Sequence, residues 1–161
     1  MGDELDFYSA NGALAGLEVL DVDAMRLMYR LELSGEGFYE GLADRVDHAE
    51  AAELLRRNGR EEMGHARRIQ RAIALKAGDG YVEPADITEP LPVSLPDTVD
   101  LKILPFIVSG ELEGDSGYQA WADKEDDPEV ARLLRLNGRE ETKHAQRLEQ
   151  VIAILEAASP A

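Results

Sequence analysis

Apolar residues recur at three- and four-residue intervals through residues 22–46, 49–77, 100–125 and 128–157, and no stretch alternates apolar with polar residues long enough to make a strand. The pattern predicts four amphipathic helices. Their ends carry the expected signals. Asp126-Asp127-Pro128-Glu129 gives the fourth helix an aspartate cap, a proline at its first position and an acid in its first turn, and Asp47-His48 closes the first pair with His48 at a helix start. Residues 78–99 open on Gly-Asp-Gly and contain Pro84, Pro90, Pro92 and Pro96, which excludes a helix and marks a crossover between the second and third helices. Extended, that segment reaches about 70 Å at roughly 3.3 Å per residue, enough to run the length of a bundle. Residues 1–20 are weakly patterned, with room for a short leading helix.

The chain repeats itself. Shifted by 79 residues, Glu32–Ile73 overlies Glu111–Ile152 without a gap, and 21 of the 42 positions are identical. Two copies are too few for a solenoid, and each is long enough for two helices. The expected fold is therefore all-α: a four-helix bundle of two duplicated hairpins, about 22–77 and about 100–157, in a single domain over residues 1–161.

Each predicted stripe is interrupted by polar residues at the same height. The first helix turns Met25, Met28, Glu32, Glu36, Tyr39 and Ala43 inward, and the third Leu104, Val108, Glu111, Asp115, Tyr118 and Ala122. The second carries Leu55, Asn58, Glu62, His65 and Ile69, and the fourth Leu134, Asn137, Glu141, His144 and Leu148. Glu32 lies 15 residues before Asp47 and Glu62 15 after it, so at 1.5 Å per residue both stand about 22 Å from the turn. The same count holds for Glu111 and Glu141 about Asp126, and each histidine follows its glutamate by three residues on one helical face. Buried charges are costly unless paired or bound to metal, so four carboxylates and two imidazoles at mid-bundle point to a metal site.

Neighbouring residues receive plainer readings. Glu61 and Glu140 are expected to pair with arginines on the surface, and Arg60 and Arg139 to take part in surface ion pairs. Asn58 and Asn137 are either donors that orient the site or amides that fix register. Gly35, Gly59, Gly114 and Gly138 cost roughly 1 kcal/mol each inside a helix, which implies close packing or room beside a cofactor.

Composition narrows the partners. The 161 residues carry 17 basic and 33 acidic side chains, a net charge of −16 and a pI near 4.5, which favours cationic ligands and disfavours nucleic acid or an anionic membrane. The absence of cysteine excludes disulfides, thiolate zinc sites and iron–sulfur clusters. The acidic start, MGDELDF, lacks the order of a secretory signal, and the apolar run Ile103–Val108 is too short to span a bilayer, so a cytoplasmic protein is expected.

One glutamate from each of two helices and a Glu-x-x-His from each of the other two is the ligand set of the ferritin-like di-iron and di-manganese bundles. Over residues 22–157 the chain resembles that superfamily, and most of all its rubrerythrin-like members. The resemblance implies two iron, or alternatively manganese, ions per chain. Glu62 and Glu141 would bridge them, Glu32 and Glu111 would be terminal ligands, and His65 and His144 would bind one ion each. Tyr39 and Tyr118 would hydrogen-bond the ligating carboxylates. Two departures stand out. The chain lacks the rubredoxin-like Cys₄ site, so catalysis would need an external electron donor, and Gly114 occupies the place of a further glutamate, leaving Glu36 and Asp115 as partial substitutes. The implied activity is oxidation of Fe(II) by O₂ or hydrogen peroxide, as a ferroxidase or peroxidase, in a homodimer or higher homo-oligomer. The alternatives are a di-iron hydroxylase, which an apolar channel to the metals would favour, and a non-catalytic metal-binding protein.

Overall fold

A computed structural model describes residues 5–83 and 89–159. Among these, five helices form: α1 (Phe7–Ala15), α2 (Val22–Ala43), α3 (Ala49–Ala77), α4 (Leu104–Asp123) and α5 (Pro128–Ala158). Side chains satisfy the first amides of four of them. Asp6 and Ser9 make a reciprocal capping box on α1, Asp21 accepts from the Ala24 amide, the His48 ring accepts from the Ala51 amide, and Asp127 accepts from the Glu129 and Val130 amides. Helix α4 has no such cap; Pro105 in its first turn has no amide to satisfy.

Two predicted helices are longer than those observed. The first ends at Ala43 instead of 46, because the Arg45 and Val46 amides bond to carbonyls only three residues back and tighten the chain into a turn. The third spans 104–123 instead of 100–125: the Asp100 carboxylate takes the Lys102 and Ile103 amides and holds 100–103 as a turn ahead of Pro105.

Helices α2 with α3, and α4 with α5, form two hairpins that meet chiefly through α3 and α5, while α1 lies on α2. The core is in two parts. Met25, Met28, Ile69, Ile73, Trp121 and Leu134 pack toward one end, and Leu42, Leu55, Leu104, Leu148 and Val151 toward the other. The polar layer lies between them.

The long loop between α3 and α4 is fastened to α2 and α1. Ser34 Oγ accepts from the Leu91 amide at 2.7 Å while donating to the Arg30 carbonyl, and Arg30 and Arg45 donate to the carbonyls of Glu89 and Pro96. The Phe7 amide bonds to Pro92 and the Tyr8 hydroxyl to Ser94. Pro84 lies outside the described residues.

Opposite the α3–α5 seam, α2 and α4 are separated by a cleft of about 900 Å³, lined by apolar side chains of α1, α2 and α4 and reaching Glu32, Glu62, Glu111 and Glu141. No described helix is long and apolar enough to cross a membrane.

Candidate metal centre

The buried stripe of α2 runs through Met28, Glu32, Gly35, Tyr39 and Leu42, and that of α3 through Asn58, Glu62, His65 and Ile69, each at three- and four-residue steps. Helix α5 repeats the α3 stripe with Asn137, Glu141, His144 and Leu148, and α4 contributes Glu111 and Tyr118. Helical periodicity alone thus delivers four carboxylates and two imidazoles to one layer. The two imidazoles stack across the α3–α5 seam with centroids 5.1 Å apart.

Ligand atoms of Glu32, Glu62, His65 and Glu141 all lie within 4.8 Å of one another, and so do those of Glu62, Glu111, Glu141 and His144. The two groups share Glu62 and Glu141. His65 Nδ1 stands 3.2 Å from Glu62, 3.3 Å from Glu141 and 3.6 Å from Glu32, and His144 Nδ1 stands 3.3, 3.4 and 3.9 Å from Glu141, Glu62 and Glu111. Both Nδ1 atoms, with one oxygen each of Glu62 and Glu141, are buried without a hydrogen-bond partner among the described residues. Two ligand atoms about 2.1 Å from one ion stand about 3 Å apart, so these separations are close to the edges of a coordination shell.

Tyrosines clasp the cluster from the opposite hairpin. The Tyr39 hydroxyl of α2 donates to Glu111 of α4, and the Tyr118 hydroxyl of α4 donates to Glu32 of α2. Asn137 donates to the His65 carbonyl and Tyr118, and Asn58 to the His144 carbonyl, so both asparagines tie the two hairpins together behind the site.

The expectation for Glu61 and Glu140 needs correction. Each pairs with arginine, Glu61 with Arg147 at 2.6 Å and Glu140 with Arg68 at 2.8 Å, but neither is a plain surface group. Glu140 lies 3.0 Å from His65 Nε2 and Glu61 3.2 Å from His144 Nε2, each reaching the histidine of the other hairpin. A carboxylate there holds a proton on Nε2, so that when the imidazole is neutral its Nδ1 lone pair is the one directed at the cluster. Arg68 and Arg147 also donate to Asn137 and Asn58, completing two equivalent networks. The available signal was Glu-x-x-x-His-x-x-Arg, present in both repeats.

Glu36 and Asp115 belong to neither group of ligand atoms. Glu36 is exposed, because the α2 stripe passes through Gly35 and Tyr39 and turns residue 36 outward; Asp115 accepts from Thr142 and Gln119. His48 is the α3 cap.

The glycines keep the helices close to the site. A Cβ on Gly35 would stand 2.7 Å from Cγ of Glu62, whereas one on Gly114 would stand 3.5 Å from Cγ of Glu141. On Gly59 and Gly138 it would meet the Cβ atoms of Tyr39 and Tyr118 at 3.1 and 3.0 Å.

Burial, reinforced by Glu62 and Glu141, pushes the Glu32 carboxyl up to about 8, and burial beside Glu141 holds Glu111 well above the carboxylate range. Burial also opposes ionisation of Glu62 and Glu141, but the histidines overcome it and both are depressed. Burial disfavours the imidazolium of His144, yet Glu141 and Glu62 carry it up to about 9; His65, likewise opposed by burial, is raised by Glu141, Glu140 and Glu32. Hydrogen bonding to His65 and then to Arg68 lowers Glu140 to about 2.

The protein is an all-helical bundle whose buried glutamates and histidines are consistent with a carboxylate metal site, in two overlapping groups that could each hold an ion. The chain matches no family model, no curated protein and no solved structure. The residues fit such ions: four orphaned polar atoms converge on the shared carboxylates, and Gly35 leaves the space a side chain would take from Glu62.

Proposed function

We propose that this chain is a ferritin-like, rubrerythrin-type di-iron or di-manganese carboxylate oxidoreductase that oxidises Fe(II) with O₂ or hydrogen peroxide. The observation that carries the reading is the pair of ligand groups joined through Glu62 and Glu141. A donor set of carboxylates with one imidazole per ion suits iron or manganese better than copper or structural zinc. When bound, two such ions supply two electrons to an oxidant in one encounter.

The protein's own groups prepare the site for this. Glu62 and Glu141, common to both groups of ligand atoms, would serve both ions, Glu32 and His65 would hold one, and Glu111 and His144 the other. Glu140 and Glu61 orient the imidazoles, while Tyr118 and Tyr39 fix the outer carboxylates and hold protons beside them. The cleft gives an oxidant a way in. The test is metal analysis joined to anaerobic Fe(II) titration, followed by O₂ or peroxide while the ultraviolet absorbance of oxidised iron is recorded. Two ions per chain and oxidation of both are expected. Saturation at one ion or fewer, or bound Fe(II) unchanged by either oxidant, overturns the reading.

The cleft supports a second reading. At about 900 Å³, with predominantly apolar walls and carboxylates at its depth, it is of ligand-binding size and character and would hold an apolar organic substrate against the ions. Hydroxylation there would place one oxygen atom of O₂ in the substrate and release the other as water, with two electrons from an external donor and two protons from solvent. A fluorescent fatty acid should bind and be displaced by Leu42→Trp, which fills the wall. A homodimer whose interface covers the cleft would refute this reading and leave the first intact.

A further inference from the structure

The α3/α5 face, on the opposite side of the bundle from the cleft, has a different character. A depression of about 520 Å³ is lined by Arg57, Arg60, Arg67, Arg68, Lys143 and Arg147, six of the chain's 17 basic residues. The acids of its lining are Glu61 and Glu140, so the lining carries a formal +4 on a chain of −16, with Glu53 paired to Arg60 at its edge. The charges are layered. Arg68 and Arg147 form the floor, each held by Glu140 or Glu61. Arg57, Arg60, Arg67 and Lys143 are exposed at the rim, and Arg67 and Lys143 have no ion pair among the described residues.

The floor leads directly to the centre. Arg68 donates to Glu140 at 2.8 Å and Glu140 meets His65 Nε2 at 3.0 Å; Arg147 donates to Glu61 at 2.6 Å and Glu61 meets His144 Nε2 at 3.2 Å. Two equivalent routes of two hydrogen bonds each therefore join this face to the two histidines.

We propose that this face is the docking site of a small acidic one-electron carrier protein. The inference rests on the oxidoreductase reading, since a cysteine-free chain has no iron–sulfur centre of its own to reload oxidised ions. Each docked carrier gives up one electron, so two reduce a pair of M(III) ions to M(II). Charge selects the partner. With a Debye length of about 8 Å at physiological salt, an acidic protein is repelled by a chain of net charge −16 and attracted where these basic side chains gather. The layering selects its kind. Glu61 and Glu140 occupy the floor and repel a small oxyanion, whereas the free cations on the rim suit a convex acidic surface. A nucleic acid long enough to pass beyond the depression would meet a chain that carries 33 acidic against 17 basic side chains.

The probes are a small acidic [2Fe–2S] ferredoxin and a flavodoxin, titrated calorimetrically into the full chain saturated with Mn(II) at about 20 mM and about 300 mM salt. At least one should bind at low salt and weaken tenfold or more at high salt. Arg67→Glu with Lys143→Glu should weaken it at least tenfold, Arg67→Gln with Lys143→Gln by less, and Lys102→Glu with Lys124→Glu on other surfaces should not. Metal stoichiometry and helix content of every variant establish folding. Failure of both carriers to bind, equal loss in the control variant, or displacement by inorganic phosphate or a short oligonucleotide overturns the proposal. Because binding is read on the manganese form, it stands or falls independently of iron oxidation.

Discussion

Loading the centre with metal should expel close to four protons. In the metal-free protein at pH 7, burial keeps Glu32, near 8, and Glu111, well above its usual range, protonated; His65 and His144, the latter near 9, are imidazolium; Glu62 and Glu141 are ionised. Two carboxylates then balance two imidazoliums, and the buried layer is neutral. Two divalent ions among four carboxylates and two neutral imidazoles are neutral as well, so the four added charges must replace four protons. Each proton is worth about 1.4 kcal/mol per pH unit, which makes binding of the pair roughly 5 kcal/mol more favourable per unit between pH 5.5 and 7.5. Apparent Mn(II) affinity should rise about a hundredfold per ion per unit over that range and flatten as pH passes 8 and then 9. Calorimetry in buffers of different ionisation enthalpy counts the protons directly, without oxidation chemistry. A release of one proton or fewer at pH 7 would refute the reasoning, since it would mean that the carboxylates stand ionised and uncompensated in a buried layer.

The same groups set the stability of the metal-free protein. Glu32 is about 8 when folded against an ordinary 4.5, and His144 about 9 against 6.5; both values are raised, so their stabilisation is complete below the ordinary value and is lost as pH rises through the folded one. The metal-free melting temperature should fall by roughly 5 °C or more between pH 6.5 and 9, and a rise would contradict the assignment. Glu62→Ala should abolish paired binding in Mn(II) titrations, Glu61→Ala should weaken it roughly ten- to a hundredfold through His144, and Glu36→Ala should leave it unchanged. If Glu61→Ala matches the wild type, the carboxylate behind the imidazole does not orient it. Gly35→Ala, with its Cβ 2.7 Å from Glu62, should cost metal affinity, while Gly114→Ala, at an ordinary 3.5 Å, should stabilise the helix by up to about 1 kcal/mol; equal effects in melts and titrations would show that α2 can withdraw.

Much of the centre was legible because it depends on local geometry. A rise per residue and a count from each turn set Glu32, Glu62, Glu111 and Glu141 at one height, and the repeat supplied both halves. What the spacing could not reveal was which neighbour crosses the seam. Glu61 precedes its own hairpin's His65 by four residues yet serves His144, because the α3–α5 contact aligns the outer edge of one helix with the imidazole of the other. Periodicity also ranked Glu36 with Glu32, since four residues advance the helix by only about 40°, and packing, not pattern, decided which lay at the margin of the stripe. The crossover was recognisable from its prolines, but its fastening to Ser34 and α1 was not, because backbone amides and carbonyls leave no trace in residue identity.

The crossed tyrosine and glutamate bonds have an ancestral consequence. Tyr39 serves Glu111 and Tyr118 serves Glu32, and each group of ligand atoms takes a carboxylate from both hairpins, so neither hairpin alone supplies a complete group. A half-length precursor carrying one copy of the repeat could have built the complete arrangement only by pairing with itself, using the same residues twice. Fusion of two copies removed that constraint and freed the paralogous positions to drift apart. The repeats record this drift: Gly64 faces Lys143 in the alignment, and Gly35 is pressed against Glu62 where Gly114 leaves Glu141 more room. One covalent chain can therefore give its two ions different surroundings, which a symmetric pair of identical subunits could not.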